Sequence, residues 1–156
     1  MKFKIVAVGK IKEKYLSDAI GEYVKRISRF ATVEIVEVDE CKSYGEQVDK
    51  EIERVKKQEG EWILQKLEGY VVAMDIDGKA VDSGQFSKLI AEQKQRYSTF
   101  TFVIGGSNGL SDEVKQRADY RCSFGKITLP HQLFRVILTE QLYRACCIEN
   151  NVPYHK

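Results

Sequence analysis

Both histidines of the chain, His131 and His155, lie in its last 27 residues together with both prolines. Imidazole titrates near neutral pH, which makes it a common general acid or base. His131 follows Pro130 in the first turn of a predicted helix, where free backbone amides and the helix dipole favour anions. His155 follows Pro153 and Tyr154, and a proline-stiffened tail with an aromatic anchor favours a docked end. These residues predict chemistry at the carboxyl-terminal end, although a capping His131 and a solvent-exposed His155 remain alternatives.

The charge of the chain is distributed unevenly along its length. Residues 115–156 carry seven lysines and arginines against three acidic residues, a net charge of +4. The first 114 residues carry 18 basic and 20 acidic side chains, a net charge of −2. A basic segment that also holds the histidines indicates contact with a polyanion such as nucleic acid, and a solvated basic face is the alternative.

Composition is typical of one soluble domain spanning residues 1–156, with 43% hydrophobic and 31% charged residues. The chain has no apolar run long enough for a membrane span and no signal peptide pattern, which predicts a cytoplasmic protein without membrane contact. Its four cysteines show no CxxC spacing, and we expect all of them to be reduced. Because no cysteine or histidine pair has the spacing of metal ligands, we expect no metal site.

Short apolar segments that predict strands alternate with amphipathic segments that predict helices. Strands are predicted over 3–9, 33–38, 70–78 and 100–106, with a strand or loop over 121–129. Helices are predicted over 11–30, 45–67 and 83–97, and further helices begin near 111 and 130. This order predicts a three-layer α/β domain with a mostly parallel sheet.

Three predicted strand ends could hold a ligand: the region of Met74, residues 104–111 and residues 123–132. The glycines of IGGSNGLS lack both the lysine of a P-loop and the GxGxxG spacing, which argues against ATP hydrolysis and NAD chemistry. Gly105 and Gly106 leave the backbone open for a flat group such as adenine, although a simple tight turn is the alternative. The apolar loop FGKITLP could surround such a ring, so an adenosine-like ligand is predicted.

Several segments resemble one protein family closely. FVIGGSNGLSDEV, SFGKITLPHQLFRVILTEQLYRA and the terminal PYHK are similar to the small SPOUT-class methyltransferases that modify large-subunit ribosomal RNA at N3 of a pseudouridine. The similarity spans the chain and includes MKFKIVAVGKIKEKYL and EGEWIL. It implies an α/β fold with a carboxyl-terminal trefoil knot, a homodimer with its site at the subunit interface, and the assembled ribosome as substrate.

The same resemblance implies S-adenosylmethionine as cofactor and S-adenosylhomocysteine as product. By motif, the cofactor contacts are Met74, Gly105, Phe124, Gly125, Lys126, Ile127, Thr128 and Leu129. The substrate end corresponds to Arg144, Tyr154 and His155. The chain departs from the family at Gly125, where serine is frequent, and at residues 151–152 before the terminal Pro-Tyr.

A mechanism follows from these residue types. The departing thioether of a sulfonium donor is neutral, so the enzyme has to align the acceptor and remove its imide proton. We expect His155 to act as the base, Tyr154 to place the target base and Arg144 to hold a phosphate or carbonyl oxygen. A non-catalytic RNA-binding module and a different nucleotide-using α/β enzyme are the rival interpretations.

Overall fold

A sheet of five parallel strands lies at the centre of the molecule. The structure is a computed structural model that describes residues 1–44 and 48–156. The strands are β1 (Lys2–Val8), β2 (Thr32–Val38), β3 (Tyr70–Ala80), β4 (Thr99–Ile104) and β5 (Tyr120–Ser123). Their order across the sheet is β2-β1-β4-β3-β5, and each pairing is parallel. The carboxyl ends of neighbouring strands therefore meet at one edge of the sheet.

In the described part of the chain, five helices cover the two faces of this sheet. They are α1 (Lys14–Ile27), α2 (Asp49–Leu64), α3 (Ser83–Gln93), α4 (Asp112–Arg117) and α5 (His131–Glu149). Helices α1, α3 and α5 pack together on one face, while α2 and α4 lie on the other. Among the described residues, no helix has both the length and the apolar character of a membrane span.

Side chains of the strands alternate strictly between the two faces. On β1, Phe3 and Ile5 belong to the core under α1, α3 and α5, whereas Val6 and Val8 belong to the core under α2 and α4. A strand that is buried on both faces has to be apolar at nearly every position, which explains the run FKIVAV. The sequence pattern thus follows directly from the three-layer arrangement.

The predicted three-layer α/β arrangement with a parallel sheet is confirmed. Several boundaries differ: the helix predicted over 45–67 is observed over Asp49–Leu64, and residues 45–47 lie outside the described residues. Only Tyr120–Ser123 of the fifth segment is a strand. Pro130 precedes the last helix at its N-cap position, because its ψ of 136° is extended and not helical. The trefoil knot stays a prediction.

We expect the mutation Phe102→Ala to destabilise the fold strongly. Phe102 is fully buried, and its ring centroid lies 6.0 Å from that of Phe3 and 5.8 Å from that of Phe86. Loss of a buried phenylalanine side chain typically costs about 3–5 kcal/mol of unfolding free energy. Urea unfolding would measure this loss, with Tyr15→Ala at a 70% exposed position as the control. Equal losses in both variants would contradict the assigned core.

Candidate functional site

A cavity of about 710 Å³ opens at the carboxyl ends of β3, β4 and β5. Seven of the eight predicted cofactor contacts line it: Met74, Gly105, Phe124, Gly125, Ile127, Thr128 and Leu129. The eighth, Lys126, is not among the lining residues, and its Nζ atom lies 3.1 Å from Oδ1 of Asp77 in an ion pair. The structure thus brings together residues from all three predicted strand ends.

A tight glycine turn forms one wall of the cavity. Gly109 donates a backbone hydrogen bond of 3.0 Å to the carbonyl of Gly106 and has a φ of +83°. A Cβ atom at Gly105 would lie 2.7 Å from the carbonyl carbon of Gly109, closer than any side chain can approach. Glycine at position 105 is therefore required by the close approach of the backbone of the turn itself.

The loop between β5 and α5 forms the opposite wall. Its start is fixed, because the ring of Phe124 packs 5.1 Å from that of Phe86 and 5.6 Å from that of Phe134. The hydroxyl of Ser123 accepts a 3.1 Å hydrogen bond from the backbone amide of Gly125. Further along, Ile127 is 81% exposed. The loop therefore presents an apolar side chain at the mouth of the cavity from a rigid base.

An ion pair ties β3 to β5 at the edge of the cavity. Oδ2 of Asp75 accepts hydrogen bonds from Nε and Nη2 of Arg121 at 2.8 and 2.6 Å, and Oδ1 accepts one from the amide of Asp77 at 3.0 Å. Burial opposes ionisation of Asp75, but these hydrogen bonds outweigh it and lower the pKa of the carboxyl. Asp75 is therefore a charged and fully paired part of the wall.

The first turns of α5 close the cavity and are held by a buried arginine. His131, Phe134 and Ile137 line the cavity. Arg135 is 1% exposed, and its Nη1 donates to Oε2 of Glu37 at 2.6 Å while its Nη2 donates to the carbonyl of Gly9 at 3.1 Å. These contacts anchor α5 to the carboxyl ends of β1 and β2.

A buried carboxyl group lies under the glycine turn. Glu59 of α2 is 3% exposed, and its Oε2 accepts a 2.9 Å hydrogen bond from the amide of Cys41. Its Oε1 has no hydrogen-bond partner among the described residues. A Cβ atom at Gly106 would lie 3.1 Å from this Oε1, so the carboxyl group packs directly against the turn. Burial raises the pKa of Glu59.

Arg144, Tyr154 and His155 form a second cluster, at the far end of α5. The guanidinium carbon of Arg144 lies 4.7 Å from the ring centroid of Tyr154, and Nη1 lies 3.2 Å from Nδ1 of His155. Glu140 accepts hydrogen bonds from Nη2 of Arg144 at 2.5 Å and from the hydroxyl of Tyr154 at 3.0 Å. The tail is thus docked against α5, and the three predicted catalytic residues lie together.

The protonation of this cluster follows from its contacts. Burial, with the hydrogen bond to Glu140, raises the pKa of Tyr154 to about 12, so this phenol is neutral at neutral pH. Arginine can only donate hydrogen bonds, so Nδ1 of His155 has to accept the one from Arg144. In a neutral imidazole the proton is then on Nε2.

The cavity and the tail cluster share no residue within one chain. Arg144 follows His131 by 13 positions on α5. At about 1.5 Å per residue, the two residues are about 20 Å apart along the helix axis. None of Arg144, Tyr154 and His155 lines the cavity.

Four residues of the site were not assigned to it from the sequence: Asp75, Arg121, Arg135 and Glu59. Asp75 follows Met74 at a strand end already singled out, and Arg121 lies two residues before another, so a search for opposite charges near neighbouring strand ends could have paired them. Glu59 is spaced four residues from both Val55 and Ile63, and Arg135 falls in line with Leu138 and Leu142, so each interrupts the apolar stripe of its helix. This spacing could have indicated buried charges, although a charged residue on a helix is normally solvated. Among the described residues there is no group of three histidine, cysteine or acidic side chains that could hold a metal ion.

Comparisons with known proteins agree with this geometry. A sequence model of a family described as predicted SPOUT methyltransferase matches residues 1–155. Proteins of Streptococcus pneumoniae strains CGSP14 and 70585, named ribosomal RNA large subunit methyltransferase H, are 48% identical over 159 residues, which is 100% of both chains. A probable methylase family protein from Haemophilus influenzae Rd KW20 has a similar fold, with a TM-score of 0.53, 14% identity, and coverage of 99% of this chain and 70% of its own.

We expect Glu59→Gln to change the pH dependence of stability. Because the pKa of Glu59 is raised in the folded state, the folded protein binds a proton that the unfolded chain releases. The contribution of Glu59 to stability is full at pH values below its pKa in the unfolded chain. It is lost as the pH rises towards its pKa in the folded protein. Thermal unfolding should therefore show the variant gaining stability relative to the original protein between pH 4 and pH 7. An identical gain in Glu61→Gln, at an exposed position of α2, would contradict this assignment.

Proposed function

The chain belongs to the SPOUT methyltransferase family, and we propose that it methylates N3 of a pseudouridine in large-subunit ribosomal RNA within the assembled ribosome. It is a methyltransferase, and S-adenosylmethionine is its methyl donor. Relatives that are 48% identical over the full length carry the name of a large-subunit ribosomal RNA methyltransferase, which supports this acceptor. Action on ribosomes would place the protein in the cytoplasm.

The cavity at the strand ends suits S-adenosylmethionine. Its volume of about 710 Å³ is in the range of small-molecule sites. The glycine turn at Gly105 would contact the flat adenine ring, while the loop offers Ile127 and Leu129 as apolar contacts. The residues that would hold the cofactor are Met74, Gly105, Phe124, Gly125, Lys126, Ile127, Thr128 and Leu129, with Lys126 contributing through its backbone. The bound cofactor supplies a methyl group on a sulfonium, whose leaving group is a neutral thioether.

The distance between cavity and tail supports a homodimer with shared sites. Ile137, the last residue of α5 that lines the cavity, precedes Arg144 by seven positions, or about 10 Å along the helix axis, and no residue of the tail cluster lines the cavity of its own chain. We therefore propose that Arg144, Tyr154 and His155 of one protomer complete the cavity of the other. Exposed apolar side chains near the cavity, Ile76, Ile127, Leu129 and Leu133, are available to be covered by such a partner.

The tail cluster provides a route for removing the N3 proton. In the ligand-free cluster, Nδ1 of His155 is occupied by Arg144. When Arg144 instead binds a carbonyl or phosphate oxygen of the nucleotide, Nδ1 becomes free to accept a proton. The neutral ring of Tyr154 would stack against the target base and hold it in line with the methyl group.

Transfer of labelled methyl groups to ribosomes tests this function. We expect label from S-adenosylmethionine at pseudouridine N3, most strongly in assembled ribosomes that lack this methyl group and weakly in naked RNA. S-adenosylhomocysteine should raise the melting temperature of the protein, whereas ATP and NAD should not. Label at another atom, or equal transfer to naked RNA, would contradict the proposed acceptor.

Mixing two inactive variants tests the shared site. Gly105→Ala should disable the cavity, because the new Cβ atom has no room beside Gly109. His155→Ala should lower kcat about 10²- to 10⁴-fold, the usual effect of losing a general base. After random exchange of subunits, half of the dimers contain one of each chain, and one of their two sites combines an intact cavity with an intact tail. The mixture should then recover about a quarter of the original activity.

The control for this mixture is Lys156→Ala in place of His155→Ala. Lys156 is an exposed neighbour of His155, and this variant should be active on its own. If mixed Gly105→Ala and His155→Ala proteins stay inactive although the subunits exchange, the tail acts on the cavity of its own chain.

A further inference from the structure

The glycine turn separates two cavities, and the carboxyl group of Glu59 lies behind it. Residues 105–109 line the cavity of about 710 Å³, called here the cofactor cavity. Ser107 and Asn108 also line a second cavity of about 290 Å³, together with Glu59. Oε1 of Glu59 is 3.1 Å from the place that a Cβ atom of Gly106 would occupy. Because Gly106 has no side chain, a single backbone segment lies between this carboxyl group and the cofactor cavity.

The charge of Glu59 has no cation to balance it. Its Oε2 accepts a hydrogen bond only from the amide of Cys41, at 2.9 Å, and its Oε1 has no partner among the described residues. By contrast, Asp75 on the other side of the cofactor cavity is paired with Arg121. A buried carboxylate without a counter-charge is rare, because loss of hydration opposes ionisation. A cation bound on the far side of the turn would supply the missing charge.

The charged groups around Glu59 do not supply this cation. The titratable groups that line the second cavity with it are Glu40, Cys41 and Lys42. None of them forms an ion pair with Glu59 within residues 1–44 and 48–156. Lys56, one turn earlier on α2, faces the cofactor cavity and pairs with Glu53 at 3.5 Å. Burial, with a smaller effect of the charge on Glu40, raises the pKa of Glu59.

We propose that Glu59 is a specificity-determining residue, whose carboxylate favours binding of S-adenosylmethionine over binding of S-adenosylhomocysteine. This inference rests on the proposed cofactor site. The two ligands share the adenosine and amino acid parts and differ in the methyl group and positive charge on sulfur. A negative charge behind a thin wall attracts the sulfonium but not the thioether, and a buried position strengthens this attraction. After methyl transfer the attraction is lost, which favours release of the product.

The test compares the dissociation constants of both ligands, measured by calorimetry, for the original protein and Glu59→Gln. Glutamine keeps the shape of the side chain and can still accept the amide of Cys41, but it carries no charge. Affinity for S-adenosylmethionine should fall about tenfold, while affinity for S-adenosylhomocysteine should change less than about twofold. A purely structural support of the turn would weaken both ligands alike. Glu61→Gln, at an exposed position of the same helix, should change neither affinity.

The pH dependence of binding provides a second measurement. The charge of Glu59 develops as the pH rises through its raised pKa in the folded protein. Affinity for S-adenosylmethionine relative to S-adenosylhomocysteine should therefore increase between about pH 5 and pH 8. His131 also lines the cofactor cavity and is titratable. The increase should persist in His131→Gln and disappear in Glu59→Gln.

Three results would overturn this role of Glu59. They are an equal loss of affinity for both ligands in Glu59→Gln, a pH-dependent increase that persists in this variant, and no increase in the original protein. Failure of the cofactor site itself has a different sign. A folded Gly105→Ala protein that binds both ligands normally would refute the proposed site and not Glu59 alone.

Discussion

The contact of buried Arg135 with Glu37 and Gly9 determines where both parts of the site lie. A guanidinium group that is 1% exposed has lost its hydration, so α5 is stable only while the ends of β1 and β2 supply acceptors. With its first turns fixed in this way, α5 places His131 at the cavity. Because a helix is rigid over this length, the same contact also sets the position of Arg144 at the opposite end.

The parallel sheet explains why one cavity collects residues from three separate segments. The carboxyl ends of β3, β4 and β5 are neighbours, so a strand end, a glycine turn and an apolar loop meet there. Keeping this edge of the sheet open lowers the stability of the fold. Glu59 supports the glycine turn with one carboxyl oxygen unpaired among the described residues, and Ile127 remains in solvent. Local features that lower stability are common where a site has to be ready for a ligand.

The sequence predicted the elements and strand ends because hydrophobic periodicity and glycine turns are local signals. The loop residues and the tail were identified through the family resemblance. Local patterns could not supply contacts between distant residues. Helical periodicity places Arg135 on the apolar face of α5 with Leu138 and Leu142, but it does not identify the partners of Arg135, which are 98 and 126 positions away. The side chain of Lys126 forms an ion pair with Asp77 and does not line the cavity, since a motif specifies a position but not the direction of its side chain.

Glu140 holds the tail cluster together as one unit. It accepts hydrogen bonds from both Arg144 and Tyr154, so two neighbours of His155 are held by one carboxylate. Arg144 uses its other terminal nitrogen for His155. In the proposed mechanism, an incoming phosphate or carbonyl oxygen would compete with the imidazole of His155 and not with the carboxylate, which is the stronger acceptor. Under the proposed mechanism, binding of the nucleotide and release of the imidazole nitrogen would be the same step, and His155 would become free to accept a proton only when the substrate is present.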